Sequence, residues 1–245
     1  MLPALRFVVG DTQWVLSTHA LLVVVAVFVG TVHAVRRARE PLVVAACAPW
    51  VAAAGIAGSR ALFAVLRGGD GTLWSGGLTS MGGIAAGLAV VVVAARVARV
   101  RTATLLDAFV PAGLLALGIG RLGCFLGGCC YGAPTSLPWG LVFPEVGGAP
   151  RHPLQLYSAL LDVGLVALLG RVSGPPGAVA RAGCVGFGLG RAALELMRDP
   201  GTRDLVGGGM LTVAQAGALG LAAVALVVKP ARRSNPLGLR NRIEV

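Results

Sequence analysis

Lysine and acid are scarce in this 245-residue chain. Lys229 is its one lysine, and only 10 residues are Asp or Glu. Charged residues of every kind make up 13%, about half the share of a soluble domain. Aromatics are also sparse, at 5%. That removes the stacking platforms a nucleic-acid binder needs, so no nucleic-acid partner is expected despite a formal charge of +11. The five cysteines, Cys47, Cys124, Cys129, Cys130 and Cys184, are odd in number and offer no simple disulfide framework. No internal repeat and no linker divides the chain, so residues 1–245 read as a single integral membrane domain.

What is abundant is apolar sequence, 56% of the chain. A membrane-spanning helix needs about 20 such residues. By that measure seven spans are expected, near 14–34, 41–66, 81–98, 104–119, 153–169, 180–196 and 209–228. The fold class is therefore all-α, a polytopic transmembrane helix bundle. The run RRARE at 36–40 follows the first span as a stop-transfer signal does, so that span is not read as a cleaved leader.

Positive charge favours the cytoplasmic side. An N-out, C-in arrangement places Arg36, Arg37, Arg39, Arg96, Arg99, Arg101, Arg171 and Arg181 inside, with Lys229, Arg232, Arg233, Arg240 and Arg242. Eight arginines break the pattern: Arg6, Arg60, Arg67, Arg121, Arg151, Arg191, Arg198 and Arg203. Charge at membrane depth is costly and marks function or a partner. Arg6 and Arg67 are read as snorkelling to head groups, and Arg121 and Arg191 as functional. Asp162, deep in the fifth span, is expected to face the protein interior. Asp107 reads as interfacial, and His19 and His33 as structural.

Three motifs carry the chemistry. The first is GIGRLGCFLGGCCYG at 118–132. Its Gly118-x-Gly120-x-x-Gly123 matches a dinucleotide fingerprint by chance, because a hydrophobic helix precedes it where that fingerprint needs a strand. The glycines read instead as places where backbones approach closely, with Arg121 presenting a planar fork suited to phosphate. A non-helical outer loop is expected over about 121–151. The second motif, RHPLQLY at 151–157, offers His152 as an acid or base and Gln155 and Tyr157 as polar contacts. In the third, GFGLGRAALELMRDP at 186–200, Arg191, Glu195 and Arg198 share one helix face, which reads either as an ion pair that only holds helices together or as an anion site lined by two arginines and tuned by a carboxylate. Cys124, Cys129 and Cys130 depart from the usual zinc spacing of C-x₂₋₄-C and show no fourth ligand. No metal site is expected there.

Taken in order, GIAGSRALFAVL at 55–66, GGIAAG at 82–87, LLDAFVPAGLLALGIGRLGCF at 105–125, YGAPTSLPWGLVFP at 131–144, RHPLQLY and GRAALELMRDP resemble the prolipoprotein diacylglyceryl transferase family of bacterial plasma membranes. The resemblance implies a multi-pass enzyme with its site toward the outer leaflet. It implies transfer of diacylglyceryl from phosphatidylglycerol to the lipobox cysteine of a prolipoprotein signal peptide, without a cofactor. On that resemblance Arg191, Glu195 and His152 are the catalytic candidates. Arg121, Arg60, Gly82, Gly83, Cys124, Tyr131, Gly132, Gln155 and Tyr157 are the substrate-binding ones. The chain departs from the family at three positions that are usually polar: Met81 stands where a histidine is usual, Cys124 where an asparagine is, and Cys129 where an acid is. Two other readings compete with the transferase. One is a membrane thiol–disulfide protein using Cys124, Cys129 and Cys130, and the other is a non-catalytic lipid-binding relative.

Overall fold

The structure is a computed structural model and describes residues 2, 4–9, 12–66, 78–206 and 209–228. The expectations for Arg67 and for the basic cluster from Lys229 to Arg242 lie outside these residues. Among the described residues the chain forms a hairpin, β1 (Ala4–Val9) and β2 (Thr12–Ser17), followed by seven helices. These are α1 (Thr18–Arg37), α2 (Pro41–Leu66), α3 (Ser80–Val97), α4 (Thr102–Leu126), α5 (Leu154–Leu169), α6 (Ala178–Glu195) and α7 (Val213–Val227). Four of them, α1 to α4, are long and apolar enough to cross a membrane alone. The shorter α5 and α7 are equally apolar. The chain is a multi-pass, all-α bundle.

The hairpin corrects the first expected span. Trp14 lies in β2, paired with Phe7, and the helix starts only at Thr18. Val15, Leu16 and Trp14 continue the apolar run of α1, so hydropathy alone merges strand with helix. Ser17 marks the boundary, its side chain accepting the N–H of Ala20 at 3.4 Å, as an N-cap does. Arg6 is therefore a strand residue. The seventh helix starts later than expected for the same kind of reason. Thr212 and Gln215 close a reciprocal capping box at its first turn.

The fourth helix carries the larger correction. It runs on to Leu126, so residues 121–126 are helical rather than part of a loop, and Arg121 sits within the last turns of α4. Leu122, Phe125 and Leu126 keep the helix apolar, and it stops at Gly127, before Gly128 turns left-handed at φ +69°. A glycine accepts that conformation without a Cβ clash.

Small residues set the packing. Lipid is as apolar as leucine, so helices in a bilayer associate through close contact rather than through water exclusion. On α2 and α3, a Cβ on Gly82 would come within 2.2 Å of the Gly58 carbonyl oxygen, and one on Gly83 within 2.8 Å of that of Gly55. On α6 and α7, a Cβ on Gly188 would meet the Ala218 carbonyl oxygen at 2.4 Å. Ala34, Val44, Val91, Ala95, Leu105, Ala108 and Ala112 bind α1 to α4 together. Met81, Leu114, Leu169, Phe187 and Ala218 join α3 to the second half of the bundle. Large side chains such as Phe28, Leu42, Leu160 and Val224 point outward, as lipid-facing residues do.

Asp107 is more than interfacial. From α4 it accepts the backbone N–H groups of Gly177 at 2.7 Å and Ala180 at 2.8 Å. It thereby caps the first turn of α6, where the helix dipole favours an anion. This contact helps fix the helix that carries Arg191.

Candidate functional site

The site is built where α4, α5 and α6 meet. Gly118 of α4 leaves room for α5: a Cβ there would touch Val163 at 3.3 Å and the Asp162 side chain at 3.4 Å. Arg121 lies one turn further along α4, half-buried. From α6 come Arg191, 4% exposed, and Glu195, 2% exposed. Their i, i+4 spacing brings Nη2 of Arg191 to 2.6 Å from Oε2 of Glu195, though without the alignment of a hydrogen bond. Arg198 reaches the other carboxylate oxygen at 3.6 Å. Arg121 and Arg191 each feel the charges of Asp162, Glu195 and one another.

Three guanidiniums, Arg121, Arg191 and Arg198, thus face two carboxylates, Asp162 and Glu195. The guanidiniums outnumber the carboxylates by one. Nε and Nη1 of Arg191 are buried without a hydrogen-bond partner. A buried charged donor left unpaired is expensive, and an anionic ligand removes that cost. Asp162, 2% exposed with Oδ1 unpartnered, belongs to this cluster although its position in the sequence marked it only as interior-facing. Its signal was that of any acid inside an apolar span.

The segment between α4 and α5 packs beside this cluster against the end of α6 and is held by backbone and side-chain bonds. Gly132 donates its N–H to His152 O at 2.9 Å, His152 returns one to Ala133 O at 3.1 Å, and Ala133 donates to Met197 O at 2.9 Å. A Cβ on Gly132 would lie 2.7 Å from both His152 Cβ and Met197 O, so this contact demands glycine. Arg151 pairs with Asp199, donates to Gly132 O and stacks over the Tyr131 ring at 5.0 Å. Gln155, 1% exposed, donates from Nε2 to the carbonyl of Cys129. Tyr157 accepts the indole N–H of Trp139 at 2.8 Å, and its hydroxyl lies 3.3 Å from Nδ1 of His152. Tyr131, Gly132, Gln155 and Tyr157 are therefore tied into the framework of the segment.

Other residues singled out in the sequence lie elsewhere. Gly82 and Gly83 form the α2–α3 contact, and Arg60 on α2 lies over the Phe63 ring at 5.7 Å. Met81 is buried in the apolar cluster, and a Cβ on Gly217 of α7 would meet its sulfur at 2.9 Å. His19 packs on Gly123, with Nδ1 buried and unpartnered. The dinucleotide pattern lies wholly inside α4, with sixteen helical residues before it rather than a strand.

The three cysteines of the second half of motif one are brought together. The sulfurs of Cys124, Cys129 and Cys130 all lie within 4.8 Å of one another. Hydrogen bonding with Cys124 and then Cys129, helped by the charges of Arg121 and Arg198, holds the Cys130 thiol well below its ordinary value against the effect of burial. For Cys129, the bond with Cys124 acts downward, but hydrogen bonding with Cys130 and burial outweigh it and push that thiol up to about 11.

The family model described as prolipoprotein diacylglyceryl transferase matches residues 8–229. The chain belongs to that family. Among curated relatives, one from Geobacter sulfurreducens is 39% identical over 132 residues, covering 52% of this chain and 51% of the relative. One from Methylococcus capsulatus is 40% identical over 136 residues, covering 52% and 50%. One from Bordetella avium is 41% identical over 145 residues, covering 56% and 54%. Each is named phosphatidylglycerol–prolipoprotein diacylglyceryl transferase. The chain spans about half the length of the curated relatives it matches. Membership in the family accounts for the order in which the motifs occur.

Proposed function

We propose that the chain moves the diacylglyceryl group of phosphatidylglycerol onto the thiol of a lipobox cysteine in a prolipoprotein signal peptide. It does so in the bacterial plasma membrane, N-out and C-in, as a single domain whose site faces the outer leaflet. The observation that carries the proposal is the buried Arg191 guanidinium, whose Nε and Nη1 have no hydrogen-bond partner, in a cluster where guanidiniums outnumber carboxylates. Membership in the transferase family and the names of the relatives support the same reading.

The chemistry needs what these residues supply. A thiol must lose its proton to become a nucleophile. The thiolate attacks the glyceryl carbon that bears the phosphate ester. A C–S bond forms, the C–O bond breaks, and its electron pair leaves with glycerol 1-phosphate. Negative charge grows on the phosphate as it departs, and fixed donors aimed at that charge lower the barrier. Arg121 and Arg191 take this role, and Glu195 orients Arg191 and Arg198. Glu195 is held between two guanidiniums and is occupied in positioning them. His152, on the segment beside the cluster and next to Tyr157, is assigned to take the thiol proton. Met81 sits in an apolar cluster and has no place in this step.

Expression in cells depleted of their own transferase tests the proposal. The chain is expected to restore lipid labelling of a reporter prolipoprotein. Absence of labelling from protein shown to be inserted and folded overturns it. Replacing Cys124, Cys129 and Cys130 together by Ser separates it from the thiol–disulfide reading, since transfer then survives.

A further inference from the structure

We propose that Cys124, Cys129 and Cys130 form a three-thiolate site for one soft d¹⁰ metal ion of the cuprous or zinc class. The sequence spacing argues against such a site, and the backbone overrides the spacing. Cys124 is in the last turn of α4. Gly128 and Cys130 both adopt left-handed conformations, at φ +69° and +63°, and fold the segment back over the helix end. Cys129 is drawn onto the same turn, its N–H donating to Cys124 O at 3.1 Å and its Sγ lying 3.6 Å from that oxygen. Gln155 fixes the Cys129 carbonyl from α5.

Size and charge agree with the assignment. Three sulfurs bound to zinc at about 2.3 Å lie about 4 Å apart. The observed sulfurs, within 4.8 Å of one another, need to close by less than about 1 Å. The donor set is all sulfur, which selects cuprous or zinc-like ions over calcium and magnesium, which prefer oxygen. Binding displaces the protons still held by the thiols and changes no oxidation state. The resulting complex is anionic, and the charges of Arg121 and Arg198 reach Cys130 to balance it. Cys129 is exposed and gives the ion a way in. The proposal does not depend on the transferase reading, because it concerns binding alone.

The test uses the purified full chain in detergent with a phosphine reductant. One arm titrates cuprous ion against a chromogenic cuprous chelator. The other titrates cadmium as a zinc-class probe, read by its thiolate-to-metal ultraviolet band. One equivalent is expected to bind in at least one arm, and the arm that responds fixes the class. The C124S/C129S/C130S variant is expected to weaken binding by more than about a hundredfold, beyond the loss typical of an outer-shell partner. C47S/C184S is expected to leave it unchanged. X-ray absorption of the loaded wild-type chain is expected to count three sulfurs and guards against a misfolded triple variant. A shell of fewer than three sulfurs, equal binding by the triple variant, no binding in either arm, or a disulfide among the three after anaerobic purification overturns the proposal.

Discussion

The α2–α3 pair and the α4–α5–α6 junction use glycine for opposite ends. Between α2 and α3, Gly55, Gly58, Gly82 and Gly83 bring backbone onto backbone. At the junction, Gly118 makes room for the Asp162 and Val163 side chains of α5, and the space near it holds Arg121, Arg191 and Glu195. The first contact is close-packed backbone. The second keeps charge at membrane depth, with donors left over on Arg191. The same small residue serves as glue in one half of the bundle and as clearance in the other, and the proposed function assigns the head group to the half with clearance.

Substitutions separate the two. Replacing Arg191 by Ala is expected to lower turnover by about a hundredfold or more, the scale of losing one donor to developing charge. Arg191→Lys, which cannot form the planar fork, is expected to restore only part of it. Steady-state transfer of radiolabelled lipid checks both. Gly82→Val is expected to lower stability by about 1–3 kcal/mol through overpacking, since its Cβ would collide with the Gly58 carbonyl. Turnover per folded molecule is expected to remain near wild type, read from thermal melts alongside activity. If Gly82→Val abolishes turnover in folded protein, the two halves are not separable in this way.

Smaller effects sharpen the comparison at the edge of the site. Cys130 is held low and Cys129 is pushed up to about 11. The alkylation rate of Cys130 is therefore expected to be flat through neutral pH and to fall only on acidification, as its thiolate takes up a proton. That of Cys129 is expected to climb steadily toward pH 11. Mass spectrometry of peptides after timed alkylation distinguishes them. The smallest effect belongs to Asp107→Asn, expected to cost about 1 kcal/mol, as the weakening of a helix cap does. Turnover is expected to stay intact, because Asp107 acts on the first turn of α6 rather than on the cluster.

Much of the bundle was legible in the sequence, and the reasons are local. Runs of about 20 apolar residues announce helices whatever their neighbours do. The Arg191–Glu195 pair follows from helical spacing within one element. What escaped depends on chain reversal or on distant partners. The β1–β2 hairpin was hidden because Val15 and Leu16 extend the apolar run of α1. The true end of α4 was hidden because Gly120 and Gly123 look like loop residues although both lie within the helix, where Gly123 packs against His19. The sulfur cluster rests on two left-handed residues, Gly128 and Cys130, which no spacing rule anticipates. The tie from Gln155 to the Cys129 carbonyl and the cap from Asp107 onto α6 join residues far apart in sequence. The role of Asp162 in the cluster emerges only when α4 and α6 are in place.

The central claim is that buried arginines take the phosphate of phosphatidylglycerol so that a thiol can displace it. Release of glycerol phosphate by the purified chain tests this most directly. The substrates are a lipobox peptide and vesicles of either phosphatidylglycerol or phosphatidylcholine. The account predicts release of one glycerol phosphate per thioether formed from phosphatidylglycerol, little from phosphatidylcholine, and a collapse of the rate in Arg191→Ala. Equal release by Arg191→Ala, or thioether formation without glycerol phosphate, would contradict it.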